Sequence, residues 1–301
     1  MGAALEVEEV EKRFGGTLAL DRVTLAVRSG SVFGLLGPNG AGKSTLIRIV
    51  MDILRADRGR VLVNGVPSST ARRERLGYLP EERGLYRRER ASEVLEYLAM
   101  LKGLSRREAR ERARVWLERM GLGFAAKYRV ERLSKGMSQK LQLAATLLPE
   151  PGLCVLDEPF SGLDPVNVRL VRELIHERRA RGLTTILSTH QLREVEDLCD
   201  DVALVHRGRV LLAGETGEIR RRHSRREVEL VTEDGRAPAL EGVEVHRRDD
   251  GSFIVIDTRA RRPAELLRAL VGSGVELERF APVLASLEEI FVRAVSEETG
   301  S

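Results

Sequence analysis

Apolar and polar residues alternate from Leu5 to Val10 and from Leu18 to Val27, the two-residue period of half-buried strands, with Gly15-Gly16 between them as a turn. This pair predicts an antiparallel β edge. Three other stretches are short and continuous, the apolar runs Val32-Phe33-Gly34-Leu35-Leu36 and Gly152-Leu153-Cys154-Val155-Leu156, and Thr184-Thr185-Ile186-Leu187-Ser188-Thr189-His190. Each predicts a buried strand. Helical spacing follows them in α/β order, at Thr45 to Met51, Pro165 to about Arg181, and about Gln191 to Cys199. Shorter strands are expected at Arg60 to Gly65, at Leu76 to Leu79 as a central strand running into an exposed charged loop, and as a pair from Val202 to Leu212.

Residues Ala91 to Gly121 predict two amphipathic helices divided at Gly103. Val94, Leu95, Leu98 and Leu101 mark one face of the first, and Ala113, Trp116, Leu117 and Met120 one face of the second. The second opens on the capping box Ser105-Arg106-Arg107-Glu108, and a further helix is expected from Ser138 to Leu148. Beyond Gly214 the texture changes. Strands at Glu227 to Val231, Val243 to His246 and Phe253 to Ile256 precede a helix at Pro263 to Val271, a strand at Val275 to Phe280 and a last helix opening at Ser286-Leu287-Glu288-Glu289. These residues read as a small α+β domain without visible chemistry. There is no internal repeat.

Composition narrows the class. The 301 residues suffice for one large and one small domain, and with 4% aromatics the packing is left to aliphatic side chains. Six lysines leave arginine to supply 44 of the 50 basic residues, but 46 acidic residues are interspersed with them, so the net charge is only +4. That mixed surface gives no reason to expect specific nucleic-acid binding. The run Arg220 to Arg226 reads as a linker or exposed helix end, with contact to lipid headgroups as the alternative. No leader and no membrane-length apolar run is visible, which places the expected location in the cytosol. Cys154 and Cys199 lack metal-ligand or redox spacing and are expected to be buried.

Chemistry concentrates at Gly37-Pro38-Asn39-Gly40-Ala41-Gly42-Lys43-Ser44-Thr45, a phosphate-binding loop pattern between a predicted strand and a predicted helix. Its amides and the helix dipole suit phosphate oxygens, its glycines permit close approach, Lys43 reaches the outer phosphates, and the Ser44 hydroxyl suits Mg²⁺. Downstream, one strand finishes in Asp157-Glu158 and another in His190. In that order Asp157 would anchor the metal, Glu158 polarise the attacking water, and His190 hydrogen-bond the γ-phosphate. Taken singly, Glu158 reads equally well as a capping or salt-bridged carboxylate and His190 as a satisfied strand-end histidine. Phe14 can stack on a base or pack under the first hairpin. No N-K-x-D motif points to guanine.

Across residues 5–214 the order of these motifs resembles the nucleotide-binding subunit of ABC transporters, with Leu133-Ser134-Lys135-Gly136-Met137 where that family keeps its signature. Tyr78-Leu79-Pro80-Glu81-Glu82-Arg83-Gly84-Leu85-Tyr86 and Leu287-Glu288-Glu289-Ile290-Phe291 resemble the drug- and sodium-export branch, and the last domain is similar to that branch's accessory domain. The resemblance implies an α/β P-loop ATPase core with an antiparallel β edge and a helical insertion at about 88–150. It divides the chain into a cassette at 1–214 and an accessory domain at 215–301. It also implies a head-to-tail dimer, of identical or related chains, in which ATP and Mg²⁺ lie between the phosphate loop of one subunit and Ser134, Lys135, Gly136 and Met137 of the other. Separate membrane-spanning permease subunits would then hold the protein at the cytoplasmic face of the membrane.

Three departures from the commonest family pattern stand out, at four positions. Glu81 stands for glutamine at a loop position implied to ligate the metal, Lys135 and Met137 for glycine and glutamine in the signature, and Phe14 for the adenine-stacking tyrosine. A soluble ABC ATPase working on nucleic acid or ribosomes is the competing class. One cassette, no long heptad insertion and no cysteine zinc hook weigh against it, and a small-molecule kinase would have no use for the signature segment. The transported cargo is not legible in this chain.

Overall fold

The computed structural model describes residues 2–71, 76–82, 84–224, 227–259 and 261–299. Arg83 of the charged loop and Arg225 and Arg226 of the basic run lie outside the described residues. The chain divides into two compact units, Met1–Thr216 and Gly217–Ser301.

In the first unit, β1 (Ala3–Phe14), β2 (Thr17–Arg28), β4 (Arg58–Val63) and β5 (Val66–Pro67) form an antiparallel sheet in the order β2-β1-β4-β5. A six-stranded sheet joins β3 (Val32–Leu36), β6 (Leu76–Leu79), β7 (Leu153–Asp157), β8 (Thr184–Thr189), β9 (Asp201–His206) and β10 (Arg209–Glu215) in the order β10-β9-β3-β8-β7-β6. All its pairings are parallel except β10 on β9. The reason lies in the sequence. β3, β7 and β8 are buried at every position, so they suit only a sheet covered on both faces. β2 alternates, because one face meets the core and the other meets water. Leu5, Val7, Leu20, Val23, Phe33 and Leu35 share one apolar core with Leu46, Ile47 and Val50 of α1 (Lys43–Val50). This core fixes the end of β3 and the start of α1, hence the loop between them.

The helical segment forms α2 (Ala91–Leu101), α3 (Arg106–Arg119) and α4 (Lys135–Leu147). Ser105 and Glu108 make the expected capping box: the Ser105 amide donates to Glu108 at 3.0 Å, and the Glu108 amide donates back to the Ser105 hydroxyl at 3.3 Å. Asp164 caps α5 (Pro165–Ala180), accepting the Asn167 amide at 2.9 Å, with Pro165 at the first turn.

Two expectations fail. β6 is an edge strand, not a central one. Its open side is closed by side chains instead of a strand: Lys102 donates to the Leu76 carbonyl at 2.8 Å and Thr146 to the Tyr78 carbonyl at 3.4 Å. The helix expected at Gln191 to Cys199 is a short 3₁₀ turn, Leu192–Glu194, followed by turns. Tertiary donors take its carbonyls, Arg172 bonding Glu194 O at 2.7 Å and Thr216 bonding Cys199 O at 2.8 Å, and these contacts override a weak local preference. Cys199 is buried all the same, as is Cys154.

The second unit contains α6 (Thr216–His223, beginning at the boundary), β11 (Glu227–Thr232), β12 (Val243–Arg247), β13 (Phe253–Asp257), α7 (Pro263–Gly272), β14 (Leu277–Pro282) and α8 (Leu287–Thr299). Its antiparallel sheet runs β12-β13-β11-β14, with Val228, Leu230, Phe253 and Val255 packing on Leu266 and Leu270 of α7. Arg220, in the basic run, donates to the Ala285 carbonyl at 3.0 Å.

Candidate functional site

The loop from Gly37 to Gly42 turns β3 into α1 through backbone conformations that side chains would obstruct. Gly42 has φ 107°, and a Cβ there would come within 2.7 Å of the Ala19 carbonyl oxygen. At Gly37 a Cβ would lie 2.2 Å from the Val205 carbonyl oxygen. The Gly208 amide braces the loop from the β9–β10 turn, donating to the Ala41 carbonyl at 2.8 Å. α1 has no side-chain cap at its N-terminus, so the amides of its first turn lack intrahelical acceptors and suit an anion.

A cavity of about 240 Å³ opens over this loop, lined by Asn39, Gly40, Ala41, Gly42, Lys43, Ser44 and Thr45 together with Ala19, Glu81, Asp157 and Glu158. Lys43 is only 6% exposed, and its ammonium donates to the carbonyls of Gly37 at 2.6 Å and Pro38 at 3.1 Å. Burial pushes its pKa down, against the opposing pull of Glu158, Asp157 and Glu81. Burial likewise pushes Asp157 up, helped by Glu81 and Glu158 and opposed by the hydroxyls of Ser188 and Ser44. Each charge is thus strained in the direction that a bound partner would relieve.

Glu158 follows β7 with φ 49°, a left-handed conformation that is strained for a side chain of this size. It is held there by donors from β8 and the residue after it. The Thr189 hydroxyl donates to one carboxylate oxygen at 3.0 Å, while the His190 amide donates to the other at 3.0 Å and His190 Nδ1 approaches it at 2.8 Å. His190 is therefore joined to the cavity through Glu158, without itself forming its wall. Phe14 is half exposed at the end of β1 beside Lys12, also outside the wall.

Ser134 caps α4, accepting the Met137 amide at 3.2 Å, and Ser134, Lys135, Gly136 and Met137 do not line the cavity of their own chain. Thr189 and Gln142 were missed from the sequence. Gln142 bonds the Glu82 carbonyl at 3.2 Å and so steadies the loop carrying Glu81. The signal for Thr189 was its hydroxyl at the end of β8, next to His190.

The donor set suits Mg²⁺ delivered with a polyphosphate. Asp157 and Ser44 offer hard oxygens side by side, and Mg²⁺ completes its shell with phosphate oxygens and waters. Among the described residues no three His, Cys, Asp or Glu side chains are grouped to hold a metal by themselves. Bound there, Mg²⁺ would neutralise phosphate charge, with Lys43 on the outer phosphates and Glu158 beside the position of an attacking water. A larger cavity of about 400 Å³ between α3 and α5 has no such features, and its arginines Arg119 and Arg181 are already paired with Glu177 and Glu150.

A parallel sheet, a glycine loop over a capless helix and strand-end carboxylates define the class: a P-loop ATPase. Residues 20–161 match the ABC transporter family, and residues 214–295 match the family described as ATP-binding protein DrrA1-3-like, C-terminal domain. The daunorubicin resistance ATP-binding protein DrrA3 of Streptomyces coeruleorubidus is 34% identical over 98% of this chain and 96% of its own. The daunorubicin/doxorubicin resistance ATP-binding protein DrrA of Streptomyces peucetius is 33% identical over 96% of this chain and 91% of its own. A solved structure described as the ATP binding subunit of an ABC transporter is 35% identical, with a TM-score of 0.69, covering 73% of this chain and 92% of that one. The chain belongs to the ABC transporter family as an ATP-binding, ATP-hydrolysing subunit. Such subunits dimerise and work with membrane permeases. Among the described residues no helix is long and apolar enough to cross a membrane.

Proposed function

We propose that this chain powers an exporter, with residues 1–214 as the cassette, 88–150 as its helical insertion and 215–301 as an accessory domain. Two copies, or this chain and a related one, bind head to tail at the cytoplasmic face of the membrane. Each ATP lies between Gly37–Thr45, Glu81, Asp157, Glu158 and His190 of one subunit and Ser134, Lys135, Gly136 and Met137 of the other, with Phe14 against the adenine. The observation that carries this reading is the division of the chain's chemistry: the phosphate loop and carboxylates share one cavity, while the capped start of α4 stands outside it. A γ-phosphate reached by both would hold the subunits shut, and its hydrolysis would let them part.

Export is supported by the daunorubicin resistance named for both relatives. A permease contact is supported by the exposed rings beside the Glu81 loop and on the insertion. Tyr86 and Tyr97 stack edge to face at 5.5 Å, and Phe124 and Tyr128 at 6.2 Å, in a chain poor in aromatics.

Complementation tests the shared site. Lys43→Ala and Ser134→Ala proteins should each be inactive, and mixing them in equal amounts should restore about a quarter of the wild-type pockets if identical chains pair at random. Mixtures as inactive as their components would overturn pairing between two copies of this chain. Full activity of Ser134→Ala alone would overturn the composite site.

A further inference from the structure

Ser188 occupies an unusual position. It is fully buried in β8, in register with Asp157 on β7, and among the described residues its hydroxyl is the buried side-chain oxygen that lacks a hydrogen-bond partner. A serine hydroxyl carries one donor and two acceptor sites, and leaving it unbonded away from water is unfavourable. Its neighbours on β8 differ. Thr185 accepts a bond from Arg178 at 3.1 Å, and Thr189 donates to Glu158 at 3.0 Å. Alanine would fill the Ser188 site without that cost, so the fold of the nucleotide-free chain does not account for the hydroxyl.

Asp157 does account for it. We propose that Ser188 is a positioning residue for the metal carboxylate: in the Mg²⁺·ATP-loaded site the Ser188 hydroxyl would donate to Asp157 and so fix the orientation of that carboxylate. The inference rests on the ATP and Mg²⁺ reading of this site. Its physical content is differential. A donor with no good acceptor in the empty state gains a charge-assisted bond in the loaded state, and only such a difference between states raises affinity. The Ser188 hydroxyl lies close enough to the Asp157 carboxyl to favour its charged form, yet it makes no hydrogen bond of good geometry in the empty state. Ser44, on the loop side, touches the same carboxyl, so Asp157 stands between a hydroxyl suited to the metal and one suited to orient the carboxylate. The backbone contributes too, since the Ser188 carbonyl accepts the Glu158 amide at 2.8 Å and ties the strand ends together.

The test separates orientation from structural support. Binding of a non-hydrolysable ATP analogue is measured by calorimetry with Mg²⁺ and with EDTA, and the metal-free melting temperature is recorded, for wild type, Ser188→Ala, Asp157→Asn and the double variant. Ser188→Ala should reduce the Mg²⁺-dependent gain in affinity by about tenfold, the factor of one hydrogen bond to a charged group. It should leave EDTA affinity unchanged and the metal-free melting temperature equal or raised. In the Asp157→Asn background the same change should have no further effect on the Mg²⁺ gain. A full Mg²⁺ gain in Ser188→Ala, or a loss of metal-free stability and metal-free affinity equal to the loaded loss, overturns the proposal. Absence of any Mg²⁺ gain in the wild-type chain overturns the parent reading, and this inference with it.

Discussion

Asp157 and Asp257 make an instructive pair. Each closes a buried strand, β7 in the first unit and β13 in the second, and each is almost wholly shielded from water. Their surroundings push them in opposite directions. Arg261 bonds Asp257 through its guanidinium at 2.7 Å and through its backbone amide, and the Arg259 amide adds a third donor, so the carboxyl is held below its ordinary pKa, chiefly by the Arg261 side chain. Among the described residues no guanidinium pairs with Asp157. Burial dominates, nearby carboxylates add to it, and its pKa rises. One carboxylate is complete within its own fold, whereas the other is complete only with something bound. That contrast separates a structural acid from a site acid more clearly than burial does.

The largest expected effect tests the site side of this contrast. Glu158→Gln should lower ATP turnover by about 10²–10⁴-fold, the usual contribution of a general base, while retaining ATP and trapping the closed dimer. Turnover at the wild-type rate would remove Glu158 from the reaction.

Exchanging the paired acids one at a time comes next. Asp157→Asn should cut turnover by about a hundredfold or more without loss of metal-free stability, since burial already disfavours the charge that it removes. Asp257→Asn should do the reverse, sparing turnover while increasing amide hydrogen exchange across β11, β13 and α7. Equal effects of both on either readout would dissolve the contrast.

Acid sharpens it. The folded pKa of Asp257 lies below 3.8, so its contribution to stability is present above that pH and is lost as pH falls through the depressed value. The folded pKa of Asp157 lies above 3.8, so its contribution is greatest below that pH and is lost as pH rises through the elevated value. Region-resolved hydrogen exchange, corrected for intrinsic rates, should show these opposite slopes in metal-free protein, and each slope should flatten in the matching Asn variant.

The smallest effect concerns two helix caps. Ser105 and Ser134 each accept an amide from the first turn of their helix, at 3.3 Å and 3.2 Å. Ser105→Ala should cost about 1 kcal/mol in chemical denaturation and leave turnover unchanged. Ser134→Ala should show a similar loss of stability and also abolish hydrolysis, because this cap is the one proposed to face a second subunit. Normal turnover in both would reduce Ser134 to a cap.

Features readable in the sequence share one property: each depends on neighbours along the chain. The glycine loop between strand and helix, the Ser105–Glu108 box, the Asp164-Pro165 helix start and the continuous apolar strands are specified within a few residues, where backbone sterics and local hydrogen bonds act. The turn after His190 and the edge position of β6 escaped the same reading. Arg172, Thr216, Lys102 and Thr146 decide them, and none of these donors is a close neighbour in sequence of the carbonyl it serves.

The site divides along the same line. Sequence alone determined which chemical groups are present and their order, from the phosphate loop through Asp157 and Glu158 to His190. Only tertiary structure set β8 beside β7, which clamps the strained Glu158 with Thr189 and His190 and brings the partnerless Ser188 hydroxyl against Asp157. The physical reason is that a side chain's pKa and hydrogen-bond needs are set by what surrounds it in space, and parallel strands bring together residues about thirty positions apart that no local pattern relates.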